Sequence, residues 1–591
     1  MRPRLLAFAV LALGLGAQAS PSAKLAWEPW SEAAFERASR EGRFVLLDLE
    51  AVWCHWCHVM DETTYRDARV VRLLQAKYVT VRVDQDAAAE LAVRYADWGW
   101  PATIVLAPDG TELVKRRGYL PPGPMAALLQ AIIDDPTPGP SVQPEVAVEK
   151  GAAALTPERR AALSRLLAEA YDEAHGGWGQ GHRLIQPAPM EVALGEARAG
   201  NAAASAQARK TLAGVQQLVD PVWGSVSQYS EGPDWTVPHF EKLLSVQAQA
   251  IALYAKAALL LEAPAYAATA RAVDAYVRRF LESPEGVFFE SQDADVSPSL
   301  SGHVYYAHTD AERRRLGMPR VDTHLYSKDN AAMVAALVAL YDATGDVQVL
   351  ERAQGAERWL LLHRRTGEGG FRHGEAGGPT LGDTVSVAEA ALSLYASTGE
   401  RLWLTEAERA AAFVGARLKA KDGTGFVSSP TSRSARGVFT APVLDADENV
   451  QVARFAVRLF AATGRTLHRE MAEAALRYLA SPGLAERRGV VAGLLLADAE
   501  LSGEPVHLTV VGAKDDARAR ALFTAVVRYP TLFRRTEWWD AREGPLPRSD
   551  VVYPRTARPA AFVCAKSACS LPVYEPEAVA AAADRLLRPA R

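Results

Sequence analysis

AVWCHWCHVM, residues 51–60, holds two cysteines two residues apart, with a histidine directly after the second. Two chemistries use such a string. Cys-x-x-Cys-His attaches c-type haem, and Cys-x-x-Cys inside a β-α-β pattern carries thiol–disulfide exchange. The flanks separate the two. Upstream, RFVLLDLEAVW (43–53) contains a short apolar run that reads as a buried strand over 44–49, broken only by Asp48. Downstream, HVMDETTYRDARVVRLLQAKY (58–78) has apolar residues at helical spacing, so a helix begins at or near the cysteines. VTVRVD (79–84) reads as a second strand, and 86–96 as a short helix. PATIVLAPDGTELVKRRGYL (101–120) reads as two strands joined by a Pro-Asp-Gly turn, followed by a helix from about 124 to 133. The order βαβαββα puts the cysteines at the end of the first strand.

That order and its residues resemble the thioredoxin fold over roughly 25–135. Strand, Trp, Cys-x-x-Cys and helix match at DLEAVWCHWC; Asp48 stands six residues before Cys54, where such proteins often carry a buried acid. GWPATIVL (99–106) matches the segment with the family's cis-proline, which implies a cis bond at Pro101 and a backbone edge beside the cysteines where a substrate chain can pair. Haem attachment explains none of these neighbours, and nothing in the sequence marks a second axial ligand. Zinc or copper held by Cys54, Cys57, His55 and His58 remains open, as does a purely structural disulfide. The neighbours favour a redox-active dithiol.

The expected roles follow from position. Helix N-termini stabilise thiolates, so Cys54 is the attacking residue and Cys57, one turn on, resolves the mixed disulfide. His55, if protonated, adds to the stabilisation of the Cys54 thiolate. Asp48, if buried, accepts a proton from Cys57; it reads equally as a hydrogen-bonded strand carboxylate. His58 is as readily a packing residue as a participant. No cofactor or metal is expected.

The chain opens MRPRLLAFAVLALGLGAQAS: a basic start, an apolar run from Leu5 to about Ala17, and a small-x-small site at Ala17-Gln18-Ala19. This is the layout of a signal peptide over 1–19. The run is shorter than the ~20 apolar residues of a spanning helix, and no later stretch is long and apolar enough to cross a bilayer. With an Ala/Arg-rich composition, the expectation is export to a bacterial periplasm, where disulfides persist. At 591 residues, two to four domains are expected. A net charge of −4 gives no reason to expect nucleic acid as a partner. Only four cysteines occur, in two close pairs near opposite ends, which is too sparse for a disulfide scaffold.

The longer string WCHWCHVMDETTY (53–65) resembles a narrower group, the DUF255 family of YyaL-like and spermatogenesis-associated proteins. WTVPHFEKLL (235–244) and AFVCAKSACSLP (561–572) resemble two further signatures of that family, so the likeness runs along nearly the whole chain. It implies an α/β thioredoxin-like domain over 24–135, a linker over 136–151, and an all-α (α/α)6 toroid of the six-hairpin glycosidase type over 152–503. A small α/β segment over 504–591 follows. The sequence supports the toroid independently. LYDATGD (340–346), LYASTGE (394–400) and LFAATGR (459–465) each close an amphipathic helix on a glycine, and another amphipathic helix follows each. PVHLTVVG reads as a strand and DDARARALFTAVVRY as a helix in the last segment. Cys564 and Cys569 permit a local disulfide, structural or a second exchange pair docked near Cys54.

Glycosidases need two carboxyl groups flanking the bond. Loop residues Glu231, Glu241, Asp293, Asp295 and Asp383 are candidate acids with Trp178, Tyr229, Trp235 and Phe289 near, and Glu241, Asp293, Asp295, His239 and Trp235 are the cleft candidates, although loop acids also serve as caps or solvated charges. The chain departs from the family here: it has GGWGQGHRLIQP for Gly-Gly-Phe-Gly-x-Ala-Pro-Lys-Phe-Pro, and Ser245-Val246-Gln247 for Asp-Asn-Ala. The leading expectation is an exported thiol–disulfide oxidoreductase-like protein with a protein thiol or disulfide as partner and the toroid as recognition domain. A carbohydrate-active or sugar-binding toroid with a regulatory redox domain, holding a saccharide in its cleft, is the alternative. A non-catalytic interaction protein is the third reading.

Overall fold

The computed structural model describes residues 25–142, 150–297, 299–431, 435–565 and 568–587. The leader at 1–19 and the middle of the linker lie outside these residues.

The central strand of the first domain is β1 (Phe44–Glu50), whose interior residues are buried on both faces, as its unbroken apolar run requires. It pairs in parallel with β2 (Tyr78–Asp84) and antiparallel with β3 (Ala102–Leu106), and β3 pairs antiparallel with β4 (Glu112–Arg117), giving the order β2-β1-β3-β4. Before β1 runs α1 (Glu32–Glu41), which the sequence reading left out. After β1, α2 (His55–Thr63) starts directly on the cysteines. The single helix expected over 58–78 is two helices. Asp67 caps the second, Ala68–Lys77, by accepting hydrogen bonds from the N–H groups of Arg69 and Val70. The helices Ala89–Tyr95 and Pro122–Asp134 complete the expected order. The Trp100–Pro101 bond is cis.

The middle of the chain closes a ring of helices. An inner set of six, Pro187–Arg198, Leu244–Leu260, Ser327–Thr344, Leu381–Thr398, Ala446–Thr463 and Arg488–Ser502, packs neighbour to neighbour until the last meets the first. Each inner helix is backed by one outer helix; Pro157–Glu169, at the start of the ring, backs the final inner helix and so ties the two ends of this region together. The three repeated endings are what the glycines suggested: Gly345, Gly399 and Gly464 sit at φ of 72°, 69° and 70° as left-handed caps. They differ in surroundings. A Cβ on Gly399 would lie 2.6 Å from Trp538 Cβ, whereas one on Gly345 would meet nothing nearer than 3.9 Å. Gly399→Ala should therefore cost clearly more than Gly345→Ala, about 2–3 kcal/mol against about 1, in denaturant unfolding of the two variants. Equal losses would contradict this packing.

The last segment repeats the first domain's sheet. Val506–Val511 pairs in parallel with Arg534–Trp539 and antiparallel with Ala560–Ala565, which pairs antiparallel with Ala568–Cys569. Helix Ala517–Val527 links the two parallel strands, as the helices after the cysteines link β1 to β2, and Ala578–Leu587 closes the unit. Pro559 precedes the third strand as Pro101 precedes β3. Where Cys54 caps α2, Asp516 caps the corresponding helix.

The two α/β units sit at opposite ends of the ring. The first covers the N-terminal ends of the inner helices. Arg94 donates to the carbonyls of Val438 and Ala441 (3.1 and 2.7 Å), Val438 N–H donates to Gly110 O (3.2 Å), and Arg487 pairs with Asp97 (3.1 Å). The last covers the C-terminal ends. Lys514 Nζ donates to Gly399 O (2.8 Å), and Arg548 to the carbonyls of Phe460 and Ala461 (3.3 and 3.2 Å). No helix among the described residues is long and apolar enough to cross a membrane.

Candidate functional site

Cys54 is the N-cap of α2, and its Sγ accepts the Cys57 N–H at 3.1 Å. The two cysteines form a disulfide. They are 4% and 3% exposed, which decides their accessibility: the sulfurs lie under the ring rather than on a free surface. Ala51, Trp53 and Trp100 pack around them, and Leu243 of the ring packs on them from the other side.

His55, between the cysteines, reaches across to the ring. Its Nδ1–H donates to Asp295 Oδ2 at 2.7 Å. That hydrogen bond raises the His55 pKa, against burial. Burial would raise Asp295, but His55 and the Gly302 N–H (2.6 Å) hold it below the usual carboxylate range. A half-exposed imidazole, its protonated form favoured by Asp295, thus faces the ring at the N-terminus of the helix that carries the disulfide. Trp56 is exposed and stacks on Tyr119.

Asp48 is buried at the centre of the sheet. Tyr65 O–H donates to its Oδ1 (3.0 Å), and Arg82 donates to its Oδ2 through Nε (3.1 Å) and Nη2 (2.9 Å). Burial pushes its pKa up to about 6, with Arg82 opposing. Arg82 also pairs with Glu50 (3.3 Å) and Asp61, and stacks 4.1 Å from the centre of the Trp27 ring. Asp48, Glu50 and Asp61 bring their oxygens close enough together to hold an ion; the Arg82 guanidinium supplies the positive charge there. The sequence reading did not mark Arg82.

Of a second group, the sequence reading marked only Asp383, as a candidate loop acid. Trp53 Nε1–H donates to Asp86 Oδ2 (2.6 Å), and the Asp86 carbonyl accepts from His373 Nε2 (2.6 Å). His373 Nδ1 bonds Asp383 at 3.0 Å. Burial works against a charge on His373, yet Asp383 lifts its pKa to about 9. The string Asp84-Gln85-Asp86 at the end of β2 was the visible signal; its partners lie hundreds of residues away. Beneath the disulfide, Lys242–Leu243, Ser291–Gln292 and Val321–Asp322 form a small antiparallel sheet on the ring, so Glu290 and Asp322 face Asp84 and Asp86 across a seam.

The cleft candidates separate. Glu241 and Asp293 are buried at this mouth, and burial pushes them up to about 7 and about 6. His239 stacks on Tyr229 with ring centres 4.1 Å apart and stands 3.6 Å from Glu231 and 3.9 Å from Glu241; burial lowers its pKa. Trp235 does not line the cleft. It is buried, lies against Gly214 and Gly177, and donates its N–H to His175 O (3.1 Å), so it is a packing residue. Cys564 and Cys569 form a disulfide across the edge hairpin of the last sheet, Cys564 buried and Cys569 exposed. This hairpin belongs to the unit at the far end of the ring. An inner helix of 18 residues is roughly 27 Å long, so the second pair is not docked beside Cys54.

Residues 18–132 match a family model described as a protein of unknown function, DUF255, and labelled Thioredox_DsbH. Spermatogenesis-associated protein 20 from Homo sapiens is 27% identical over 331 residues, 49% of this chain and 42% of that protein. The matching stretch thus spans about two fifths of that relative's length. The thiol:disulfide interchange protein DsbD from Pseudomonas fluorescens is 34% identical over 92 residues, 15% of each chain. Among solved structures, cellobiose 2-epimerase from Spirochaeta thermophila aligns with 58% of this chain and 96% of its own at 12% identity, with a TM-score of 0.45. Residues 18–132 thus match the DUF255 family model; they form a thioredoxin-like fold that carries the Cys54–Cys57 pair, and this domain stands on the mouth of a ring of paired helices.

Proposed function

We propose that the protein is an exported thiol–disulfide exchange protein whose reacting pair is Cys54–Cys57 and whose toroid shields and selects access to it. The observation that carries this reading is the position of Cys54. Its sulfur caps α2, takes the Cys57 N–H, and is followed directly in the chain by His55, whose pKa is raised by Asp295. Each of these stabilises a thiolate at that sulfur. Once reduced, Cys54 attacks a substrate disulfide, and Cys57 then displaces the substrate thiol. Asp48, held near the middle of the pH range by burial, receives the Cys57 proton. The DsbD relative is an interchange protein by name and is similar to this chain over 92 residues.

The test is exchange by the reduced protein with a small model disulfide. Cys54→Ser should abolish it, and Asp48→Asn should slow the Cys57 step by ~100-fold while sparing the first attack. Undiminished exchange by Cys54→Ser would end this reading.

Burial of the sulfurs has its own consequence. Asp295→Asn removes the carboxylate that anchors His55 to the ring, so a phosphine should reduce Cys54–Cys57 a few-fold faster, the size set by a half-exposed pair worth at most ~1 kcal/mol. Rising pH should act in the same direction. The pKa of His55 is raised in the closed arrangement, so its contribution is full at low pH and is lost as pH climbs through that raised value. A reduction rate that falls with pH, or does not respond to Asp295→Asn, would contradict closure through this contact.

A further inference from the structure

The seam beside the disulfide is lined by carboxylates that outnumber the cations facing them. Asp84 and Asp86 come from the end of β2; Glu290, Asp322 and Asp329 come from the ring. The basic side chains facing them are Arg320 and His324 near Asp84, and Lys328 and His373 near Asp329. Two of these are already committed: His324 to Asp322 Oδ1 (2.6 Å), and His373 to Asp383 and the Asp86 carbonyl. Glu290 and Asp322 are 5% and 3% exposed, yet among the described residues Glu290 Oε2 and Asp322 Oδ2 have no hydrogen-bond partner. A buried carboxylate oxygen left without a donor is costly. The seam is close to the sulfurs: Leu243 packs on the cysteines, the next residue's N–H donates to Glu290 O (2.8 Å), and Trp53, which precedes Cys54, holds Asp86. The oxygens of these five residues do not form one of the compact clusters that would hold an ion. An extended donor that spreads several N–H groups suits them better than a bare metal ion.

We propose that this seam recognises a positively charged substrate, so that Cys54–Cys57 exchanges with thiols or disulfides carrying an ammonium or guanidinium group close to sulfur. This rests on the exchange function proposed above and names its substrate class. Cystamine, a disulfide with an ammonium at each end, is a minimal probe. The Cys54 thiolate attacks one of its sulfurs, the S–S bond breaks, and one cysteamine leaves as a thiolate that takes a proton from water. The Cys57 thiolate then attacks the Cys54 sulfur, restores Cys54–Cys57 and releases the second cysteamine. The protein loses two electrons and the probe gains two.

Protonation gives the preference a pH signature. Burial first, and the neighbouring carboxylates next, raise Asp86 to about 8 and Glu290 well above its ordinary value; burial raises Asp84 to about 6. In the empty seam Asp86 thus holds a proton near neutrality. A bound ammonium favours the ionised forms of these carboxylates, so the preference grows as pH rises from about 6 to about 8 and fades as it falls.

The experiment uses the full chain, reduced with a phosphine and desalted, and reacts it with cystamine, bis(2-hydroxyethyl) disulfide and glutathione disulfide. Each rate is divided by that of dithiothreitol with the same probe, which removes differences in intrinsic reactivity. Cystamine should exceed the neutral probe by about tenfold at low salt, glutathione disulfide should fall below it, and ~1 M KCl should bring the three together. Glu290→Gln and Asp322→Asn should each shrink the cystamine advantage and leave the neutral probe unchanged. A normalised cystamine rate equal to or below the neutral one overturns the selectivity. So does an advantage that salt and both substitutions leave intact. If no probe reacts while an alkylating agent still labels Cys54, the exchange function itself fails, and the substrate class with it.

Discussion

Replacing Cys57 with serine should convert the protein into a trap. Cys54 remains able to attack a substrate disulfide, but no thiol stands at the start of α2 to release the product, so mixed disulfides through Cys54 accumulate and survive a non-reducing gel. The Cys54→Ser protein, expressed alongside, should show none. The contrast follows from geometry. The Cys57 sulfur bonds the Cys54 sulfur from one turn down the helix, so it reaches the intermediate. Loss of resolution should lengthen the lifetime of the intermediate from seconds to hours, the uncatalysed timescale of disulfide rearrangement. Equal trapping by the two variants, or none by either, would contradict the assignment of attacking and resolving roles.

The second large effect concerns Arg82. This one side chain pairs with Asp48, Glu50 and Asp61, and its plane covers Trp27. Arg82→Met keeps much of the volume and removes the charge, leaving three carboxylates close together at the base of β1 and α2. The expected loss is about 3–5 kcal/mol, typical of removing one partner from a buried pair, measured by denaturant unfolding of the first transition. The loss should depend on pH with a defined sign. Without the guanidinium the carboxylates bind protons more readily when folded, so acidification neutralises them and the deficit is smaller at pH 5 than at pH 8. Glu50 already sits at about 8, raised by burial even with Arg82 in place. A variant as stable as the parent at pH 8 would show that the cluster is solvated instead of packed.

Local patterns made much of this molecule legible. The apolar run of β1, the helix starting at the cysteines, the Pro-Asp-Gly turn and Pro101 outlined the first sheet, because each is decided by residues within a few positions of one another. Gly345, Gly399 and Gly464 announced helix ends for the same reason. The pieces that escaped depend on distant partners. Thr63 to Asp67 broke a helix that periodicity alone ran straight through, since Asp67 takes the cap of the next helix. The last sheet was read only as one strand and one helix, because Arg534–Trp539 is rich in charge and its pairing with Val506–Val511 depends on burial against the ring. There, Arg534 finds Asp342 of the ring, while Arg535 finds Asp550 of its own unit. Trp235 looked like a cleft aromatic because a loop sequence does not reveal which way a side chain turns. The seam was invisible for the strongest reason: Asp86 and His373, or His55 and Asp295, are brought together only when the first domain sits on the ring.

The most direct test of the account is a redox titration of the native protein. A Cys564→Ser/Cys569→Ser background leaves Cys54 and Cys57 as the two cysteines of the chain. The protein is equilibrated with dithiothreitol buffers of graded potential, alkylated without denaturant and weighed. The account predicts that two alkyl groups appear together, along a single two-electron curve that is the same from the oxidised and the reduced side. Cysteines that stay unlabelled at every potential until the protein is unfolded would show a purely structural disulfide and contradict it.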